Sequence, residues 1–444
     1  MKKKILLLAL TYAFIFFADY ATAQISGSTA YKFNVIKELP VTSVKNQSRT
    51  STCWSFSTLS FIESELLRMG KGMHDLSEMF IVSNSYYDKS EKYIRTGGKI
   101  NMAPGSSFGD ALYVIKHYGI VPEEAMNGLN YGEEIHVHNE MDAALSGYIK
   151  AIERNPNGKL SSAWKAGVKG ILNAYLGGIP QKFTYQNKEF TPNSFATSLG
   201  VNTDDYVSIT SYTHHPFYSS FALEIPDNWR WDSSYNLPID ELVQVVNNSI
   251  EKGYTVLWAS DVSEKGFTRK GIAVVPETDT KNMSGSDQER WLGLSRNEID
   301  AKIYSLENVV KEKFVNQEIR QKGYDNLQTT DDHGMHIFGI ARENNGDIFY
   351  MVKNSWGETG DYKGIWFVSE TFLKYKTMNI VVHKNAIPIE IRKKLNLNNM
   401  KKSMLSIAIV IISLAITANL SAQGYVFTDV VKVPATSVKN QASS

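Results

Sequence analysis

Cys53 is the only cysteine in the 444 residues of the chain, which bars intramolecular disulfides as a source of stability. The fold must be held by a buried apolar core instead. A hydrophobic content of 43% beside 21% charged residues suits that requirement, and the length allows one large domain or two to three of about 150 residues. A formal net charge of +1 gives no electrostatic reason to expect nucleic acid or an anionic membrane as partner.

Residues 1–23 read as a signal peptide. Met1-Lys2-Lys3-Lys4 is a basic start, Ile5 to Ala18 an apolar run too short for a comfortable membrane span, and Ala21-Thr22-Ala23 a small-residue cleavage signal. The mature protein is therefore expected to be exported to the periplasm or beyond. No cysteine lies near the cleavage site, so no lipid anchor is expected on the mature domain. A lone thiol in such a chain is either paired between chains or reactive.

The pattern returns at the far end. Met400-Lys401-Lys402 and the apolar run to Leu420 repeat the signal-like layout over 400–423, and TSVKNQ recurs at 436–441 after its first occurrence at 42–47. Residues 424–444 thus read as the truncated start of a second copy, and 24–397 as the main domain. A C-terminal membrane anchor is the rival reading, but it leaves the copied TSVKNQ unexplained.

Around Cys53 the segment STCWSFSTLSFIESELLRMGKG predicts a helix that begins near the cysteine and ends at Gly70 or Gly72. Phe56, Leu59, Ile62 and Leu66 recur on one face. The thiol falls in the first turn, where unpaired N–H groups and the helix dipole favour a thiolate. A small buried hydrophobe is the plainer role for such a cysteine. Gln47 stands six residues earlier, and two strand-like segments far downstream, DDHGMHIFGIARE and FYMVKNSWGETG, carry His333 and Asn354. A cysteine, a histidine and an amide brought together suit nucleophilic catalysis: the imidazole takes the thiol proton and the amide orients the imidazole.

These motifs, with DLSEMFIVSNSYYDKSEKYI and PGSSFGDALYVIKHYGIVPEEAM between them, make the chain resemble the papain superfamily of cysteine peptidases, and within it the bleomycin hydrolase and bacterial aminopeptidase C branch. The likeness covers most of residues 38–385. It implies an α+β, two-lobed papain-like fold: a helical lobe with the cysteine helix, a β-rich lobe with His and Asn, and an additional mostly helical insert at about 125–250. It further implies Cys53 as nucleophile, His333 as general base and acid, Asn354 as the group that orients the imidazole, and Gln47 as an oxyanion donor beside the Cys53 N–H. Gly105, Ser106 and Trp356 would line the substrate site, with Trp356 covering the His–Asn pair. His336 competes for the base role, because residues three apart on a strand face opposite sides. Gly339, six residues after His333, and Asp332 just before it match the family pattern and favour His333.

Several positions depart from that pattern. Ser51 and Thr52 replace a Gly and a small or basic residue, Ser106 replaces the second Gly of the cleft loop, and Thr50 stands where papain-type enzymes carry a cysteine. The branch's C-terminal tail, whose carboxylate meets the substrate amine in relatives, is not recognisable before Met400, which leaves aminopeptidase and oligopeptidase or endopeptidase action both open. The short stretch between Gln24 and ELPVTSVKNQ offers no room for an inhibitory pro-segment.

The expected partners are peptide or protein substrates, with a homo-oligomer possible and no cofactor or metal. His136/His138 and His214/His215 lack a third ligand at a recognisable spacing, and Asp261 reads as a structural carboxylate. No phosphate-binding glycine motif is present. A non-catalytic peptide-binding protein on the same fold is the alternative function. An acyltransferase or transglutaminase-like activity is less well served by Asn354 than by an Asp.

Overall fold

The computed structural model describes residues 24–278 and 295–397. Both signal-like segments and the repeated start at 424–444 lie outside the described residues. The compact body that carries the site runs to Ile391, and the short helix Ile389–Lys394 closes the described chain.

A short antiparallel pair, β1 (Gln24–Ser26) and β2 (Lys32–Glu38), leads into α1 (Cys53–Arg68), α2 (Glu78–Arg95) and α3 (Phe108–Tyr118). The expected apolar stripe of α1 is buried, but so is every residue from Trp54 to Leu66. This helix packs against α2, α3 and a strand of the main sheet. Its Ser/Thr face can be buried because the hydroxyls are satisfied locally: Ser55 donates to Glu78 O (3.0 Å) and Thr58 to Trp54 O (2.6 Å).

Helices α4 (Asn139–Glu153), α5 (Ala163–Leu176) and α6 (Pro192–Leu199) follow, with a small hairpin of β3 (Phe183–Tyr185) and β4 (Lys188–Phe190) before α6. Thr191 caps α6 and Pro192 occupies its first turn, where its missing N–H costs nothing. The chain then returns to the sheet through β5 (Tyr206–Thr210), β6 (Ser220–Ala222) and β7 (Ser233–Asn236), crosses α7 (Ile239–Glu251), and enters β8 (Val256–Ser260) and β9 (Ile272–Ala273). This stretch carries more helix than strand; β5, β6 and β7 extend the main sheet, while β3 and β4 pair only with each other.

The sheet is completed by β10 (His333–Glu343), β11 (Ile348–Lys353), β12 (Ile365–Ser369) and β13 (Thr377–His383). Its order is β6-β7-β5-β13-β8-β10-β11-β12-β9, with β2 added on β10. The strand β10 pairs with β8 over His333–Ile337 and with β2 over Gly339–Glu343, while β11 runs along its other side. Gly339 permits this change of partner: a Cβ there would lie 2.8 Å from Lys37 O. The charged segment after Ser295 does not form one long helix. It makes Arg296–Tyr304, breaks at Leu306 with φ +54°, and resumes as Gln317–Asp325 under an Asn316 cap. Mixed helices and sheet in this arrangement are the α+β, papain-like fold that the motifs predict.

Candidate active site

Cys53 is the first residue of α1, half-buried at the helix N-terminus, and His333 is the first residue of β10. Asn354 follows the last residue of β11. The antiparallel β10–β11 register, with His336 opposite Lys353, brings the starting His and the trailing Asn to the same sheet end. His333 Nε2 lies 2.7 Å from Asn354 Oδ1. That same oxygen accepts the backbone N–H of Ser355 at 2.7 Å. A backbone N–H can only donate, so the atom is the carbonyl oxygen and Nε2 must carry the proton facing it. Nδ1 is left bare, the tautomer that can accept a proton from a thiol. Trp356 stacks on the ring at 4.7 Å between centroids and 27° between planes, shielding the bond from water.

His336 is turned elsewhere: its Nδ1 meets Ser60 Oγ of α1 at 2.9 Å, and it is fully buried. The structure therefore gives Asn354 to His333 and a helix hydroxyl to His336.

Gln47 reaches the site through a short backbone zipper. Its N–H donates to Ser355 O at 2.8 Å, and Gly357 N donates to Lys45 O at 3.0 Å. Its side-chain oxygen accepts from Ser355 Oγ at 2.5 Å and its Nε2 donates to Thr50 O at 2.7 Å. An amide nitrogen has two hydrogens, so one N–H of Gln47 stays available for an incoming oxyanion. Behind this loop, Thr50 Oγ1 bonds both Thr52 Oγ1 (3.0 Å) and His138 Nδ1 (2.8 Å). The position of the family's cysteine is thus filled by a hydroxyl network. Burial lowers His136 and His138 to about 4, which keeps this support uncharged.

Burial dominates the electrostatics of the pair itself. It pushes the Cys53 thiol up to about 12, against the pull of the Gly334 and Trp54 N–H groups, and pulls His333 down to about 4. A lone thiolate or a lone imidazolium is disfavoured here; moving one proton from sulfur to ring creates both charges together, each offsetting the other. Among the described residues no hydrogen bond joins the thiol directly to the imidazole.

Comparison with known proteins finds matches at both ends of the chain. The family described as papain family cysteine protease matches residues 30–164, and the peptidase C1-like family matches residues 283–405. Both ends of the chain thus match models of papain-type cysteine peptidases. It is 25% identical over 397 residues to an aminopeptidase G of Lactobacillus delbrueckii subsp. lactis, covering 78% of this chain and 82% of the relative. An aminopeptidase C of Streptococcus thermophilus is 23% identical, with 78% and 81% covered. The solved structure of pepW from Lactobacillus rhamnosis shares the fold, with a TM-score of 0.62 at 20% identity over 83% of this chain and 85% of that one. The chain is accordingly a cysteine-type peptidase whose substrates are peptides.

The candidate cleft around Cys53 and His333 has features that the motifs do not announce. Cys53, Ser106, Phe108, Asp227, Asp331 and His333 are among the groups lining a space of about 30 Å³. A larger hollow of about 290 Å³ adjoins it and shares Ser107, Ile225 and Asn379 with it. Ser106 lines the cleft, but its hydroxyl accepts from Trp229 Nε1 at 2.8 Å. The Gly105 carbonyl accepts from the buried Lys89 at 2.6 Å. A Cβ on Gly105 would sit 1.9 Å from the Asp227 carboxylate, so glycine is required where that side chain crosses the loop. Sequence reasoning missed Asp227, Trp229 and Asp331; only the Asp331-Asp332 doublet beside His333 offered a signal. Asp261 forms an ion pair with Lys376 at 2.9 Å, both side chains buried, which agrees with a structural carboxylate.

Glu224 supplies the His214/His215 pair with a third group, all three ligand atoms lying within 4.8 Å of one another. Hydrogen bonding argues against a metal there. Gln321 is oriented by Thr213 N on its oxygen (2.6 Å) and Asp325 on its nitrogen (2.8 Å), so that nitrogen donates to His214 Nδ1 at 3.2 Å. His214 Nε2 then carries the proton and donates to Glu224 at 3.0 Å rather than offering a lone pair.

Proposed function

We propose that the protein is an exported cysteine peptidase of aminopeptidase type. Cys53 gives its proton to His333 Nδ1, and Sγ attacks the carbonyl carbon of the scissile peptide bond. The oxygen that gains charge is met by the spare Gln47 N–H and the Cys53 backbone N–H. His333 then returns the proton to the departing amine, leaving a thioester on Cys53. Water attacks the thioester with His333 as base and restores the thiol. The bond from His333 Nε2 to the fixed Oδ1 of Asn354 carries this reading, because it leaves Nδ1 as the free base. Aminopeptidase action is supported by the names of the relatives G and C, and export by the basic, apolar and small-residue order of residues 1–23.

Cys53→Ala should abolish peptide hydrolysis and labelling by an epoxide thiol reagent, and labelling that persists in this variant overturns the assignment. Cell fractionation should recover the protein outside the cytoplasm with Gln24 at or near its N-terminus; an uncleaved cytoplasmic chain refutes export.

A further inference from the structure

Asp227 belongs to the stretch between β6 and β7, which is bound down firmly across the cleft. Trp229 donates to Ser106 Oγ, and Arg230 donates to Asp110 (2.8 Å) and Asp88 (2.9 Å), so the strap between these strands cannot swing freely. The result is that the Asp227 carboxylate lies over Gly105 while Asp331 stands two residues from His333. The two acids repel one another, and neither meets a cation. Among the described residues Asp331 has no hydrogen bond or ion pair, and Asp227 has only a long contact from Asn101 at 3.4 Å. The nearest countercharge, Lys89, spends its ammonium on the carbonyls of Ala103 and Gly105. Asp332, which also lines the space beside Cys53, is already occupied, accepting from Ser263 N and Thr330 Oγ1. Burial, and then the neighbouring Asp227 and Asp332, raise the Asp331 carboxyl to about 8, and burial also raises Asp227.

Two such carboxylates on a surface would be unremarked. Here they line the same space as Cys53 and His333, within reach of a peptide bound at the sulfur. The space they line is about 30 Å³, room enough for a water-sized group such as an ammonium. Resting on the aminopeptidase reading above, we propose that Asp227 and Asp331 hold the α-ammonium of a peptide's free N-terminus, fixing which carbonyl is presented to Cys53. A cation there would supply the partner that both acids lack.

The test compares free and N-acetylated forms of one leucyl peptide, with a basic residue added in a third form. In the Cys53→Ser protein, equilibrium binding of the free peptide should exceed that of the acetylated one by about tenfold or more. Asp227→Asn with Asp331→Asn should erase that ratio while the thermal melt stays cooperative. In the active enzyme the same double variant should lower the free-to-blocked ratio of kcat/KM by about 10- to 100-fold. Equal binding of free and acetylated peptides, or a ratio that survives both substitutions, overturns the proposal. Preference for the basic residue that ignores N-acetylation also overturns it, assigning the acids to a side-chain cation instead. Absence of hydrolysis with the binding ratio intact would refute the peptidase reading and leave the ammonium site standing.

Discussion

Asn354→Ala probes the geometry that fixes the tautomer of His333. The deleted Oδ1 accepts two bonds, from His333 Nε2 and from the Ser355 N–H, both at 2.7 Å, and Asn354 is 2% exposed. While the imidazole is neutral the first bond is worth about 1 kcal/mol. Once the ring carries the thiol proton it becomes charge-assisted and worth about 1.5–3 kcal/mol. If that full charge-assisted bond is lost in the transition state, kcat/KM falls by about 10- to 150-fold. The orphaned Ser355 N–H costs a separate ~1–3 kcal/mol of stability. The two effects separate by assay: a fluorogenic aminoacyl substrate for kcat/KM, and thermal unfolding for stability. Asn354→Asp keeps the acceptor, adds a charge that favours imidazolium, and should move the pH profile upward while retaining more activity than the alanine variant. A loss of less than about threefold in Asn354→Ala, with the stability loss present, would refute the claim that this amide holds the catalytic ring.

Other consequences can be read from the same contacts. With His333 lowered to about 4 and the thiol raised to about 12, the pair shares one proton across the range between. Labelling of Cys53 by iodoacetamide should stay flat within about threefold from about pH 5 to 10 and fall as acid protonates the ring below about 4; a steep rise near pH 8 would mark an ordinary isolated thiol. Gln47→Ala removes the spare N–H and should lower kcat by about 10²- to 10³-fold with little change in KM, and a pure KM effect would disprove an oxyanion role. Lys376→Met leaves the buried Asp261 without its cation and should cost about 3–5 kcal/mol in chemical denaturation; a loss under about 1 kcal/mol would show that Asp261 is satisfied without it.

Sequence alone placed Cys53 at a helix start and His333 and Asn354 on or beside strands. Those placements rest on local pattern: the 3.6-residue repeat of Phe56, Leu59, Ile62 and Leu66 and the apolar strand runs. The fold class came instead from the resemblance of the motifs to the papain superfamily. Sequence did not reveal that α1 would be buried all round, because hydroxyl pairing inside the helix only becomes affordable once α2, α3 and β10 enclose it. It could not distinguish His333 from His336 by chemistry either. That choice was made by the β10–β11 register, which delivers Asn354 to one imidazole and leaves the other to Ser60. Nor could it place Asp227 beside Cys53, since a strap far from the motifs reaches the cleft only through Trp229 and Arg230. What the sequence determined by itself is the set of reactive groups and the elements that carry them. Their tautomer, their burial and the acids that face them were decided by tertiary structure, because hydrogen-bond partners and dielectric surroundings come from residues far apart along the chain.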